Sequence, residues 1–102
     1  MTSDMGSPVR IAHIAEFDGK LVTIEGWLYN KRSSGKLKFL QIRDGSGTIQ
    51  CVVFKGNVSE DEFKAAEALT QESSVKISGT VKKDDRSDIG FEIDVTTLSE
   101  VS

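Results

Sequence analysis

Cysteine, proline and histidine are almost absent from this chain of 102 residues, which contains one of each. A single cysteine, Cys51, cannot form a disulfide within the chain, and one Cys with one His does not supply the ligands of a zinc site. No apolar run approaches the roughly 20 residues that cross a bilayer, and the first residues lack the charged and then apolar order of a signal peptide. These absences exclude a disulfide scaffold and predict a cytoplasmic protein that does not enter a membrane.

The composition that is present is typical of one small globular domain. Hydrophobic residues make up 37% of the chain and charged residues 28%, which is too apolar for a disordered protein. The length fits a single core. We interpret residues 1–8 as a disordered leader and residues 9–102 as the domain.

Positive charge is concentrated in one part of a chain whose net charge is −3. No acid interrupts residues 26–43, and the cations of this stretch are Lys31, Arg32, Lys36, Lys38 and Arg43. A solvated surface explains such a run about as well as a binding surface does, so the charges alone do not decide between them.

Alternation of apolar and polar residues predicts five strands, at residues 21–30, 36–44, 48–55, 74–83 and 91–101. A polar loop, "RSSG", separates the first two strands, and "DGSG" is a hairpin turn between the second and third. Between the third and fourth strands, Ser59 and Glu62 have the spacing of a capping box and predict a helix from about 60 to 70.

Three strands, a helix and two strands is the order of the five-stranded OB-fold barrel. An SH3-like barrel is the other five-stranded option, but it usually has no helix between strands 3 and 4. We therefore predict an all-β OB-fold barrel with one α-helix between strands 3 and 4.

Strand alternation also predicts which side chains face outward. In strand 2, Leu40 and Ile42 point into the core, Lys38 lies at the frayed start, and Phe39 points to solvent. In strand 3 the same alternation turns Gln50 outward beside Phe39. An exposed aromatic ring next to an amide and several cations suits single-stranded nucleic acid, because bases stack on the ring while cations neutralise phosphates. The alternative is that Phe39 is covered or belongs to the core.

The stretch "GWLYNKRSSGKLKFLQIRDGSGTIQCVV" and the ending "GFEIDVTTLSEVS" resemble the N-terminal anticodon-binding domain of class IIb aminoacyl-tRNA synthetases, most closely the asparaginyl enzymes. The resemblance implies that Phe39 stacks on the middle anticodon base, a uridine, and that Gln50 reads its edge. It also implies that Arg32 contacts the anticodon, that Glu92 bonds a flanking base, and that Lys82 occupies a basic position. Further cations expected to hold the RNA backbone are Lys31, Lys36 and Arg43.

The resemblance implies tRNA as the partner and no cofactor for this chain. The ATP and magnesium of a synthetase would belong to a catalytic domain, and these residues contain no Gly-rich phosphate loop or catalytic triad. We expect an excised, monomeric domain of a homodimeric enzyme in preference to a stand-alone relative. Two other functions stay open: a general single-strand binder of the same fold, and a protein-interaction module using Trp27, Tyr29, Val52 and Phe54.

Overall fold

The computed structural model describes residues 8–87 and 89–101. The leader interpreted at residues 1–8 therefore lies outside the described residues, except for Pro8. A short 3-10 helix (Ile11–Phe17) precedes the first strand. The elements that follow are β1 (Leu21–Ser34), β2 (Leu37–Arg43), β3 (Thr48–Phe54), α1 (Glu60–Ala68), β4 (Ser74–Lys83) and β5 (Phe91–Val101). Within the described ranges, no helix is long and apolar enough to cross a membrane.

The five strands close into a barrel in the order β1-β2-β3-β5-β4. Neighbouring strands are antiparallel except for β3 and β5, which are parallel. The predicted OB-fold barrel, with its helix between β3 and β4, is confirmed. The parallel β3–β5 pair places residues that are far apart in the sequence side by side, among them Gln50 and Glu92.

The barrel interior is filled by the alternate residues that the strand pattern predicts. Leu40 and Ile42 of β2 are fully buried, as are Cys51 and Val53 of β3, and the adjacent Ile49 is nearly so. Burial raises the pKa of the Cys51 thiol above its ordinary value. Cys51 therefore packs as a small apolar residue and not as a reactive thiol.

Helix α1 begins at the predicted capping box. The Ser59 hydroxyl accepts the backbone N–H of Glu62 at 3.1 Å, and the Glu62 carboxylate accepts the backbone N–H of Ser59 at 3.0 Å. The other carboxylate oxygen of Glu62 accepts the N–H of Leu98 in β5 at 3.2 Å, which ties the helix start to the barrel. The helix ends at Ala68, two residues before the predicted end, because Leu69 is extended.

The loop predicted at "RSSG" is largely a strand. β1 continues through Ser34, where it pairs with Leu37, and the chain reverses at Gly35 in the left-handed region, with φ 59°. Arg32 therefore lies within the ladder, opposite Phe39, and not in a loop. Polar residues give no alternation signal, but their backbone groups pair as well as those of apolar residues do.

The prediction that Lys38 lies at a frayed strand end is wrong. Lys38 is 7% exposed. Its ammonium lies 3.2 Å from a carboxylate oxygen of Glu67 in α1 and 3.1 Å from the hydroxyl of Ser33, and 5.2 Å from the ring of Phe63. The extended β1–β2 hairpin and the covering helix enclose this end of β2, so the inward side chain is buried and paired.

Candidate nucleic-acid interface

A groove of about 430 Å³ runs across the outer wall of the barrel, over β2 and β3 and below the loop from β4 to β5. Its lining residues are Arg32, Phe39, Gln41, Thr48, Ile49, Gln50, Asp84, Arg86 and Ser87. A smaller cavity adjoins it along β1, lined by Asn30, Arg32, Phe39, Gln41 and Gln50. The groove thus combines one aromatic ring with amides, hydroxyls and charges of both signs.

Phe39 and Gln50 lie on the same outward face of the sheet, as the strand alternation predicts. Phe39 pairs with Val52 in the β2–β3 ladder, while Gln50 pairs with Gln41. Gln50 is therefore the diagonal neighbour of Phe39, at a separation that long side chains bridge. The structure brings the two predicted residues into one groove.

Arg32 reaches the groove from β1, directly opposite Phe39. Its guanidinium carbon lies 5.1 Å from the centre of the Phe39 ring, which is a cation–π contact. Such a contact at an exposed site is worth about 0.5–1 kcal/mol. A base that stacks on the ring for about 1–3 kcal/mol can displace the guanidinium toward a phosphate.

Glu92 is not among the lining residues of the groove, but it lies beside Gln50 because β5 runs parallel to β3. Nε2 of Gln50 donates to the Glu92 carboxylate at 3.4 Å. Burial and then the negative charge of Asp84 raise the pKa of Glu92, which the Gln50 hydrogen bond and Lys82 partly offset. In the described ranges, no cluster of three or more His, Cys, Asp and Glu side chains could hold a metal ion.

Comparison with known proteins identifies the family of this barrel. The tRNA anticodon-binding family, described as an OB-fold nucleic acid binding domain, matches residues 22–101. The chain belongs to this family. The matched range contains every residue that lines the groove, so the groove is part of the family's domain and not an addition to it.

Similar curated proteins are asparagine–tRNA ligases. The ligase of Chloroflexus aurantiacus is 53% identical over 88 residues, which is 86% of this chain and 20% of the ligase. The ligase of Herpetosiphon aurantiacus is 55% identical over 87 residues, 85% of this chain and 20% of the ligase. The chain therefore spans about a fifth of the length of these two ligases.

Solved structures give the same picture. Asparaginyl-tRNA synthetase from Pyrococcus horikoshii superposes with a TM-score of 0.88 and 40% identity, covering 94% of this chain and 22% of that one. Aspartyl-tRNA synthetase from Entamoeba histolytica superposes with a TM-score of 0.83 and 27% identity, covering 94% of this chain and 21% of that one. The likeness extends over nearly the whole barrel.

Three residues of the groove were missed by the strand pattern, because they come from the loop between β4 and β5. Asp84, Arg86 and Ser87 line the groove from this loop. The backbone N–H of Arg86 donates to the Asp84 carboxylate at 3.1 Å, and its guanidinium lies 3.6 Å from the same oxygen. Loops 1–2 and 4–5 of OB-folds border the binding face, so the fold itself was the signal that could have pointed to them.

Four of the predicted cations do not line the groove. The Lys31 ammonium donates to the carbonyl oxygens of Glu67 at 2.6 Å and Leu69 at 2.7 Å, at the C-terminal end of α1. Arg43 lies 4.3 Å over the ring of Tyr29. The other two are Lys36, exposed in the β1–β2 turn, and Lys82, 3.7 Å from Asp94. None of the four lines the groove with Phe39, although Lys82 pairs with Glu92, the neighbour of Gln50.

The exposed aromatic residues do not form the single patch considered from the sequence. Trp27 pairs with Arg43 at one end of β2, whereas Phe54 pairs with Leu37 at the other. Six residues of strand separate these positions, which corresponds to about 20 Å. A protein partner could therefore not cover Trp27 and Phe54 through one small contact.

Proposed function

We propose that this chain is the anticodon-binding domain of an asparaginyl-tRNA synthetase and that it recognises an anticodon with uridine at its centre. The observation that carries the proposal is the placement of Phe39 and Gln50 on one outward face of the barrel, in a groove that Arg32 shares. The sequence similarity to asparagine–tRNA ligases supports the same conclusion.

In this proposal the unpaired base stacks on the Phe39 ring, which supplies affinity that does not depend on the base. The Gln50 amide supplies one donor and one acceptor for the edge of the base. Arg32 leaves the ring and binds a phosphate, which fixes the position of the strand without reading its sequence. Single-stranded loops suit such a site because their bases are free to turn out and stack on side chains.

In this proposal the domain binds tRNA, whereas the attachment of asparagine to the tRNA takes place elsewhere in the parent enzyme. ATP and magnesium would act in that part of the protein, outside these 102 residues. The domain contributes by placing the correct tRNA, so its variants should change the selection of tRNA.

A titration of the chain with anticodon stem-loops tests the proposal. Two loops that differ only in carrying U or C at the centre are labelled and followed by fluorescence anisotropy. We expect tighter binding of the U loop, and a Gln50→Ala variant should narrow the difference more than it weakens binding. Lys76→Ala removes an exposed cation on β4, away from the groove, and serves as the control. Equal affinity of the wild-type chain for both loops rejects the proposal.

A further inference from the structure

An amide side chain does not by itself distinguish uracil from cytosine. N3 of uracil carries a hydrogen and donates, whereas N3 of cytosine carries a lone pair and accepts. The Gln50 amide presents an acceptor oxygen on one side and an NH2 donor on the other. Rotation by 180° about the Cγ–Cδ bond of Gln50 exchanges the oxygen and the NH2 group, so an amide that rotates freely would accept either base.

We propose that Glu92 fixes the orientation of the Gln50 amide and that this contact gives the site its preference for uracil over cytosine. The inference rests on the proposed function, because it concerns how that same site selects its base. It makes Glu92 a positioning residue, which acts through Gln50.

The geometry that carries the inference is the contact between β3 and β5. Gln50 and Glu92 are partners in the parallel ladder, and Nε2 of Gln50 lies 3.4 Å from Oε1 of Glu92. A carboxylate only accepts hydrogen bonds. The NH2 group must therefore face Glu92, and the amide oxygen of Gln50 is turned away from it.

This orientation favours uracil. With N3 of the stacked base opposite the amide oxygen, uracil donates its N3–H to Gln50, and the second hydrogen of the NH2 group is free for a neighbouring carbonyl of the base. Cytosine would place a lone pair against the amide oxygen. To accept cytosine, the amide would have to turn and bring its own oxygen against the carboxylate of Glu92, which costs the hydrogen bond and adds repulsion.

The charges around Glu92 make this contact sensitive to pH. Lys82 faces Glu92 from β4, Asp84 faces it from the β4–β5 loop, and Asp94 follows on the same face of β5, 3.7 Å from Lys82. Gln50 is the partner from β3. Burial and Asp84 raise the pKa of Glu92. A protonated Glu92 can donate to the amide oxygen of Gln50, so preference for uracil should decrease as the pH falls.

The variant Glu92→Gln tests the inference, since an amide at position 92 can both donate and accept and so no longer fixes Gln50. We expect the ratio of affinities for the U and C loops to fall on the order of tenfold, while affinity for the U loop changes less. Asp94→Asn is the matched control, because it removes a carboxylate from the same face of β5 without contacting Gln50. In a Gln50→Ala background, Glu92→Gln should no longer change the ratio.

A second measurement does not require RNA. In NMR spectra of the chain, the side-chain NH2 signals of Gln50 should shift as Glu92 is titrated, and this response should disappear in Glu92→Gln and persist in Asp94→Asn. NH2 signals that do not respond to the pH overturn the inference directly.

The outcomes separate the inference from the proposed function. A wild-type chain that binds both loops equally, or binds neither, rejects uridine recognition and the inference with it. A wild-type preference for U that survives Glu92→Gln leaves the proposed function intact and overturns the inference. A change in preference at a flanking base, with an unchanged U-to-C ratio, also overturns it and assigns Glu92 to a direct base contact.

Discussion

Replacing Phe39 by alanine should weaken binding of the U loop without weakening the fold. The ring is partly exposed, lies on the outer face of β2 and is not among the residues packed in the core. The lost stacking is worth about 1–3 kcal/mol. In the wild type, part of that gain is offset by about 0.5–1 kcal/mol, because the base must first displace the guanidinium of Arg32 from the ring. With the middle of each range, the net loss should be about 1.3 kcal/mol, or about 8-fold in affinity.

Anisotropy titrations of the wild type and Phe39→Ala with the same U loop measure this loss, and urea unfolding of both proteins checks stability. Phe54→Ala is the matched control, because Phe54 is an outward Phe on the neighbouring strand that does not line the groove. It should bind as the wild type does. An affinity of Phe39→Ala equal to that of the wild type, or the same loss in Phe54→Ala, would show that stacking on this ring does not drive binding.

Two further predictions concern α1. Lys31→Gln should lower the free energy of unfolding by about 1 kcal/mol, because it removes a cation that binds the carbonyls at the helix C-terminus, yet it should leave RNA affinity unchanged. Ser59→Ala should also cost about 1 kcal/mol at neutral pH through the lost cap, measured by urea unfolding. Hydrogen bonding to Ser59 lowers the pKa of Glu62. The stability from Glu62 is therefore present above its unfolded pKa, near 4.5, and is lost as the pH falls through the folded value. Ser59→Ala keeps the backbone N–H that Glu62 accepts, so the variant should retain most of this pH dependence.

The strands could be predicted because each has one face in the core. β4 and β5 begin and end at the predicted residues. Buried residues alternate along β4, and along β5 as far as Val95, after which a register shift moves the next buried position to Leu98. The end of β1 could not be predicted, because no inward-facing apolar residue marks it. Arg32 pairs with Phe39, which faces outward, and Ser33 pairs with Lys38, which is polar. Arg32 and Ser33 pair with β2 because the β1–β2 hairpin extends beyond the part of β1 that closes the barrel.

The same difference between alternating strands and segments without a period explains which residues of the candidate site could be predicted. Phe39 and Gln50 could be predicted because a fixed alternation on adjacent strands decides their direction. Asp84 and Arg86 could not, because they belong to a loop without a period. The position of Lys31 depends on carbonyl groups 36 and 38 residues further along the chain, which no local pattern reveals. Long charged side chains are therefore the residues whose role the sequence predicts least well.

The concentration of cations in an acidic chain has a largely structural explanation. Of the five cations between Gly26 and Arg43, Lys31 and Lys38 bind groups of α1, and Arg43 lies over Tyr29. Arg32 and Arg86 line the groove together with the acid Asp84, and Glu92 lies beside Gln50. Nonspecific binding of nucleic acid draws its free energy from many phosphate contacts. A groove that carries charges of both signs lacks that source. In the proposed function, its affinity for an anticodon is therefore expected to come from stacking and from hydrogen bonds to the base, and hydrogen bonds to the base distinguish one sequence from another.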